Sequence, residues 1–216
     1  MKSYELLVFD WDGTLMDSAG EIVGSMQQAI QDTGLPERTP AQMRELIGLG
    51  LNDVLARLFP ELDTRKVRAR LDDYRRRYGM QRSRAVLFPS VIATLDVLRD
   101  RDFTLAVATG KSRRGLDDAL ASSGTRHLFQ TTRCADESVP KPAPDMLEDI
   151  LLRTATLPER ALMIGDTEFD MAMARAAGMQ PAGVSYGAHT VERLRSHDPA
   201  FVLNHFSELP SALTNL

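Results

Sequence analysis

Short apolar runs alternate with stretches of helical periodicity from residue 104 onward, and few architectures accept that rhythm. The runs at 5–9, 104–108, 161–164, 182–185 and 200–203 have the length and apolar character of strands buried on both faces. Helical patterns fall at 91–101, 112–123, 144–154, 169–177 and 191–196. Strands that alternate with helices build a parallel sheet, because each crossover returns across one face of it. The expected fold is α/β, a Rossmann-like three-layer α/β/α core around a parallel sheet.

One stretch breaks the rhythm. Between Asp17 and about Leu87 the periodicity is helical with no strand pattern, so an all-helical unit, 17–87, is expected to be inserted into a core formed by 1–16 and 88–216. Its first helix starts on a capping box, Ser18 with Glu21, and carries Ile22, Val23, Met26, Ala29 and Ile30 at helical spacing before a stop at Gly34. Its last helix carries Val67, Leu71, Tyr74 and Tyr78 on one face.

The 26 basic and 30 acidic residues leave a net charge of −4, which gives no global attraction to nucleic acid, and 43% hydrophobic residues exclude a disordered chain. A local exception is the run Arg65, Lys66, Arg68, Arg70, Arg75, Arg76, Arg77, Arg82 and Arg84 against Asp72 and Asp73. It reads first as the solvated face of a helix, with steering of anionic substrates or adhesion to nucleic acid as the functional alternatives. The single cysteine, Cys134, excludes an intrachain disulfide, and no Cys/His spacing matches a zinc site. The first residues enter a short apolar run with acids behind it, so neither a signal peptide nor a membrane span is expected, and a cytoplasmic location is.

The stretch Leu7-Val8-Phe9-Asp10-Trp11-Asp12-Gly13-Thr14-Leu15 sets two carboxylates two residues apart at the end of an apolar run. In open α/β sheets, ligands bind at the carboxyl ends of strands. Alternation points both side chains to one side, and Gly13 opens a backbone path closed to larger residues. Taken singly, Asp-x-Asp is equally a polar strand end that begins a turn. Thr109-Gly110 ends the second run before a helix N-terminus, where an anion is favoured, although Thr109 also suits a helix cap. Gly165-Asp166-Thr167-Glu168-Phe169-Asp170 places Asp166 at a strand end and Asp170 one helical turn on. Such a pair suits a divalent cation, and first-turn acids also serve the helix dipole. Lys141 stands in Val-Pro-Lys-Pro-Ala-Pro-Asp, where prolines restrict its main chain; it suits an inward-held ammonium or a solvated loop lysine ahead of a helix with Pro144 in its first position.

In this order, around a helical insertion, the four segments resemble the haloacid dehalogenase superfamily, and within it the phosphoglycolate phosphatase-like branch with a helical cap. The resemblance runs along essentially the whole chain. It implies a Mg²⁺-dependent phosphatase acting on a small phosphorylated metabolite, with no nucleic-acid or membrane partner. Asp10 is then the nucleophile that forms an aspartyl-phosphate, and Asp12 the general acid and base. Mg²⁺ is held by the carboxylates of Asp10 and Asp166 and the backbone carbonyl of Asp12, with Asp170 orienting that shell or reaching the metal through water. Thr109, the amide of Gly110 and Lys141 hold the phosphoryl oxygens. Cations are needed: a carboxylate about 4 Å from a phosphate dianion meets a repulsion on the order of 8 kcal/mol at an effective dielectric of ~20.

Within the superfamily Asp12 argues against dehalogenases and phosphonatases, which lack this second aspartate, whereas a sugar-phosphate mutase or a pyrophosphatase keeps all four segments. Outside it stand a phosphoacceptor signalling module and an RNA-binding protein using the arginine-rich helix. Trp11 is expected to pack beneath the flap, and Arg113 and Arg114 to face solvent. Lys111 is placed either near phosphate or in solvent. The loop Ile47-Gly48-Leu49-Gly50 is expected to reach the substrate, because its glycines allow close approach.

Overall fold

The computed structural model describes residues 4–78 and 85–214, of which 73–78 are described as helical backbone only. The chain starts with β1 (Leu6–Phe9) and the short β2 (Met16–Asp17). Four helices follow: α1 (Ala19–Thr33), α2 (Pro40–Arg44), α3 (Leu51–Leu58) and α4 (Thr64–Tyr78). After β3 (Val86–Leu87) come α5 (Val91–Asp100), β4 (Thr104–Thr109), α6 (Arg113–Ser123), β5 (Thr131–Cys134), α7 (Asp145–Thr154), β6 (Ala161–Gly165), α8 (Glu168–Ala176), β7 (Gln180–Val184), α9 (Val191–Arg195), β8 (Val202–Leu203) and α10 (Leu209–Ala212).

The main sheet is parallel in the order β5-β4-β1-β6-β7-β8, so β1 lies inside it between β4 and β6. All four β1 residues are buried, and alternation divides them between two layers. Leu7 and Phe9 join Leu95, Leu98, Leu116 and Leu120 of α5 and α6. Leu6 and Val8 join Met146, Ile150, Met173 and Ala174 of α7 and α8. This is the expected three-layer core, with helices between the first and second core strands.

Five strands were expected in the sheet and six are present. The additional one, β5, reads Thr-Thr-Arg-Cys and is an edge strand with only Cys134 buried, so it needs no apolar run; β-branched threonines fit the pleat well enough. The insertion also departs from the all-helical expectation at its ends. Met16 pairs with Leu87 and Asp17 with Val86 in an antiparallel ribbon that ties its two crossings together, too short to leave a periodicity.

Ser18 stands at the N-cap of α1 without capping it, and the expected box with Glu21 does not form. The hydroxyl donates instead to Asp12 Oδ1 at 2.6 Å, a carboxylate partner that the local sequence cannot reveal. α1 does end on Gly34 in the left-handed conformation, φ 63°. Pro144 falls at the N-cap of α7 rather than in its first turn. The insertion has its own core, in which Val23, Ile30, Met43, Leu55, Phe59, Val67 and Leu71 are buried and Ile22, Met26 and Ala29 pack at its margin.

The side chains of Asp73, Tyr74, Arg75, Arg76, Arg77 and Tyr78, and residues Arg82 and Arg84, lie outside the described residues. In the described part of the basic run, Arg68 pairs with Asp72 and Arg70 reaches the Thr33 carbonyl, so some of that charge stitches the insertion together. No helix among the described residues is long and apolar enough to cross a membrane.

Candidate active site

Three central strands end together at the carboxyl edge of the sheet, and each delivers one residue there: Asp10 after β1, Thr109 closing β4, Asp166 after β6. Lys141 arrives from the loop before α7, across a cis Lys141–Pro142 bond, and Asp170 from the first turn of α8. Asp10, Thr109, Lys141, Asp166 and Asp170 are at most 1% exposed and Asp12 is 7% exposed. Charges held so deep are costly unless paired.

Lys141 supplies the pairing. Its Nζ donates to Asp10 Oδ1 and to Asp170 Oδ1, each at 2.6 Å. Burial alone would lower its pKa, but the two carboxylates outweigh burial and hold it above the ordinary lysine value. The other oxygen of Asp170 accepts the Thr167 amide at 3.0 Å and the Thr167 hydroxyl at 2.7 Å, within the capping box that opens α8.

Asp166 is gripped on both oxygens, by the Thr14 hydroxyl at 2.9 Å and the Ala188 amide at 2.7 Å. Two glycines let the backbone close around it. A Cβ on Gly13, whose φ is +87°, would lie 2.3 Å from Asp166 Oδ2, and one on Gly187 2.1 Å from Asp166 Cβ.

Asp10, Asp166 and Asp170 each offer an oxygen within 4.8 Å of the others. Asp10 Oδ2 is buried with no hydrogen-bond partner among the described residues. Three carboxylates facing one ammonium leave surplus negative charge, and an all-oxygen donor set is what a magnesium-class cation takes. These residues fit a divalent ion. Burial first, and then the Asp170 charge, pushes Asp166 up to about 7. Burial likewise raises Asp10 well above the carboxylate range, against the pull of Lys141.

A pH dependence follows for Asp166. Its folded pKa lies above its ordinary 3.8, so between that value and about 7 the ion-free folded protein binds more protons than the unfolded chain. This acid therefore subtracts stability progressively as pH rises through that window. A cation that binds the ionised form removes the penalty. Differential scanning fluorimetry is expected to give a Mg²⁺-induced rise in Tm that is small near about pH 5.5 and larger at about pH 7.5. Equal rises at both pH values would take Asp166 out of the binding set.

Asp12 belongs to the same edge through different partners. Its Oδ1 accepts Ser18 Oγ at 2.6 Å and Lys111 Nζ at 2.9 Å. The Lys111 amide donates to Thr109 Oγ1 at 3.2 Å, which links Thr109, Gly110 and Asp12. A Cβ on Gly110 would lie 2.5 Å from the Gly48 carbonyl oxygen and 2.7 Å from that of Leu49, so the glycine loop of the insertion rests directly on the site. All the sequence-predicted site residues thus meet at one edge.

Further contacts fasten the insertion to the start of α8, beside Asp170. Arg193 pairs with Glu45 of the insertion and with Glu168, the latter at 2.6 Å. His189 Nδ1 accepts the Glu168 amide at 3.1 Å while its Nε2 lies 3.1 Å from the Glu45 carbonyl, an arrangement that puts the imidazole proton on Nε2. Trp11 lies in the sheet core edge-on to Phe129, and Arg113, expected to face solvent, is partly buried and held by Glu137 and Thr132. Sequence reasoning missed the grips by Thr14, Ser18 and the turn at Gly187 and Ala188; only the glycine left a signal.

Residues 7–184 match the family of haloacid dehalogenase-like hydrolases. The chain belongs to that family. A phosphoglycolate phosphatase of Vibrio cholerae is 32% identical over 222 residues, covering 97% of this chain and 96% of that protein. The "Probable phosphatase IndB" of Dickeya dadantii is 31% identical over 212 residues, covering 96% and 92%. The crystal structure of a predicted phosphoglycolate phosphatase from Haemophilus somnus superposes with a TM-score of 0.84 at 23% identity over 98% of both chains. A predicted phosphatase from Clostridium acetobutylicum gives 0.87 at 23% identity over 99% of both. At these identities the structures speak for the fold alone. Curated phosphatases are nonetheless among the relatives that align with this haloacid dehalogenase-like hydrolase from end to end.

Proposed function

We propose that this haloacid dehalogenase-like hydrolase is a Mg²⁺-dependent phosphatase of small organic phosphomonoesters, with 2-phosphoglycolate as the first substrate to test. The observation that carries the reading is Asp10 Oδ2, a buried oxygen left unpartnered while Lys141 holds the other oxygen of the same carboxylate. A nucleophile has to be fixed in direction yet free at the attacking atom, and this carboxylate is both.

In this reading Asp10 Oδ2 bonds to phosphorus as the bond from phosphorus to the ester oxygen breaks, giving an aspartyl-phosphate. Asp12, held through Oδ1 by Ser18 and Lys111, has its second carboxylate oxygen to protonate the departing alkoxide. It then takes a proton from the water that splits the acyl phosphate, which releases phosphate and restores Asp10. The Thr109 hydroxyl, the Gly110 amide and Lys141 bind the phosphoryl oxygens. Mg²⁺ held by Asp166, the Asp12 carbonyl and the oxygen of Asp10 that does not attack, with Asp170 supporting, would supply the positive charge that lets one anion approach another. Residues 17–87 act as a cap that shuts water out of the site.

The test is phosphate release from a panel of phosphorylated metabolites with Mg²⁺ or with EDTA. Release that requires the metal is expected. No release from any ester at stoichiometric enzyme would discard the reading.

A further inference from the structure

Phe169 stands between Glu168 and Asp170 in the first turn of α8, and the phosphoryl-transfer steps leave it no task. We propose that Phe169 is a positioning residue, the peg on which the insertion seats, so that the cap rests shut over the site before any ester arrives. The inference rests on the reading above, in which residues 17–87 are a cap, and deepens it.

Asp170 turns inward to Lys141, and neighbouring helix residues point about 100° apart, so the ring beside it is directed out of the acid cluster. It enters the insertion. Phe169 is buried together with Leu49 and Val54, with Met26 and Leu46 at the margin. Leu49 and Val54 stand apart from the insertion's own core, which forms around Val23, Met43, Phe59 and Val67. They make a socket that lifting the insertion would lay bare.

Val54 and Arg57 lie one turn apart on α3, and the Arg57 guanidinium sits over the Phe169 ring, 5.3 Å from its centroid. On the core side the His189 ring meets Phe169 edge-on at 5.3 Å. The ion pairs of Arg193 with Glu45 and Glu168 are partly exposed, so each adds little to the seat. A buried aromatic inside a polar rim is where contact energy concentrates. Every one of these contacts joins protein to protein, so the seat needs no ester to complete it.

The test measures cap position and kinetics separately in the full chain. Spin labels on Lys66→Cys in α4 and Asp118→Cys in α6, both exposed positions, report the distance between insertion and core, while the native Cys134 is buried. The wild type is expected to give one distance. Phe169→Ala lowers the ratio of shut to open chains by roughly 10- to 100-fold, the range for uncovering a large apolar side chain, and a second, longer distance emerges. Phe169→Leu falls between the two. Val54→Ala trims the socket, leaves α8 intact and reproduces the change even if Phe169→Ala fails to fold. With 2-phosphoglycolate and Mg²⁺, the ester must then supply the closing that the seat no longer gives, so KM rises by roughly 10-fold in both alanine variants while kcat changes little. Unchanged distances in both variants, or a wild type already spread over two, overturn the proposal while phosphatase activity stands. A fall in kcat confined to Phe169→Ala, with Val54→Ala like the wild type, also overturns it, because the ring then acts only on Asp170 beside it. A wild type that splits no ester removes the phosphatase reading, and the distances still decide the seat.

Discussion

Lys141→Ala is expected to abolish turnover and to cost about 3–5 kcal/mol of stability, the penalty typical of removing one partner from a buried ion pair. The side chain is the shared partner of Asp10 and Asp170, and all three groups are almost wholly buried. Taking away the ammonium leaves the acid cluster without its internal counter-charge. Protons substitute for it in part, because Asp10 and Asp166 are already raised by burial, so the loss shrinks as pH falls toward about 5. Urea unfolding of the metal-free protein at about pH 8 and about pH 5 measures both quantities. A loss below about 1 kcal/mol at the higher pH would mean that the carboxylates are protonated or hydrated rather than held by Lys141. Phosphate release should fall by at least about 10³-fold, since the same ammonium faces the phosphoryl group in the proposed reaction.

Asp10→Asn is expected to share the activity defect and to have the opposite effect on the fold. Without the proposed nucleophile, release falls by on the order of 10⁴-fold or more. The amide keeps an oxygen for Lys141 but removes one of three crowded negative charges whose burial is costly, so the metal-free variant at about pH 8 is expected to be more stable than the wild type. Its Mg²⁺-induced rise in Tm shrinks at the same time, because one of the offered oxygens has lost its charge. A destabilised Asp10→Asn would contradict the surplus of negative charge at this edge. The contrast between the two variants is therefore more informative than either alone.

Much of this arrangement was legible before any coordinates. Residues 6–9 announce a central strand because four apolar side chains in a row can be buried only with a layer on each side. The acids at 10, 12 and 166 stand out because carboxylates at strand ends are chemically conspicuous, and Asp170 because it follows Asp166 by one helical turn. What stayed hidden depends on distant partners. β5 could be polar because it closes the edge of the sheet, and the ribbon of β2 and β3 is shorter than any period. Ser18 has the residue type and position of a helix cap, yet a carboxylate brought near by the fold took its hydroxyl. The Ala188 amide that binds Asp166 carries no side-chain signature at all, because every residue but proline owns such a donor.

Arg193 stands between two carboxylates, one on the insertion and one on the first residue of α8. Lifting the insertion takes away Glu45 and, with it, the carbonyl that faces His189. In the proposed reaction, raising the insertion to admit an ester would therefore strip the start of α8 of its outer brace. One arginine and one imidazole thereby couple the proposed cap to the helix that carries Asp170.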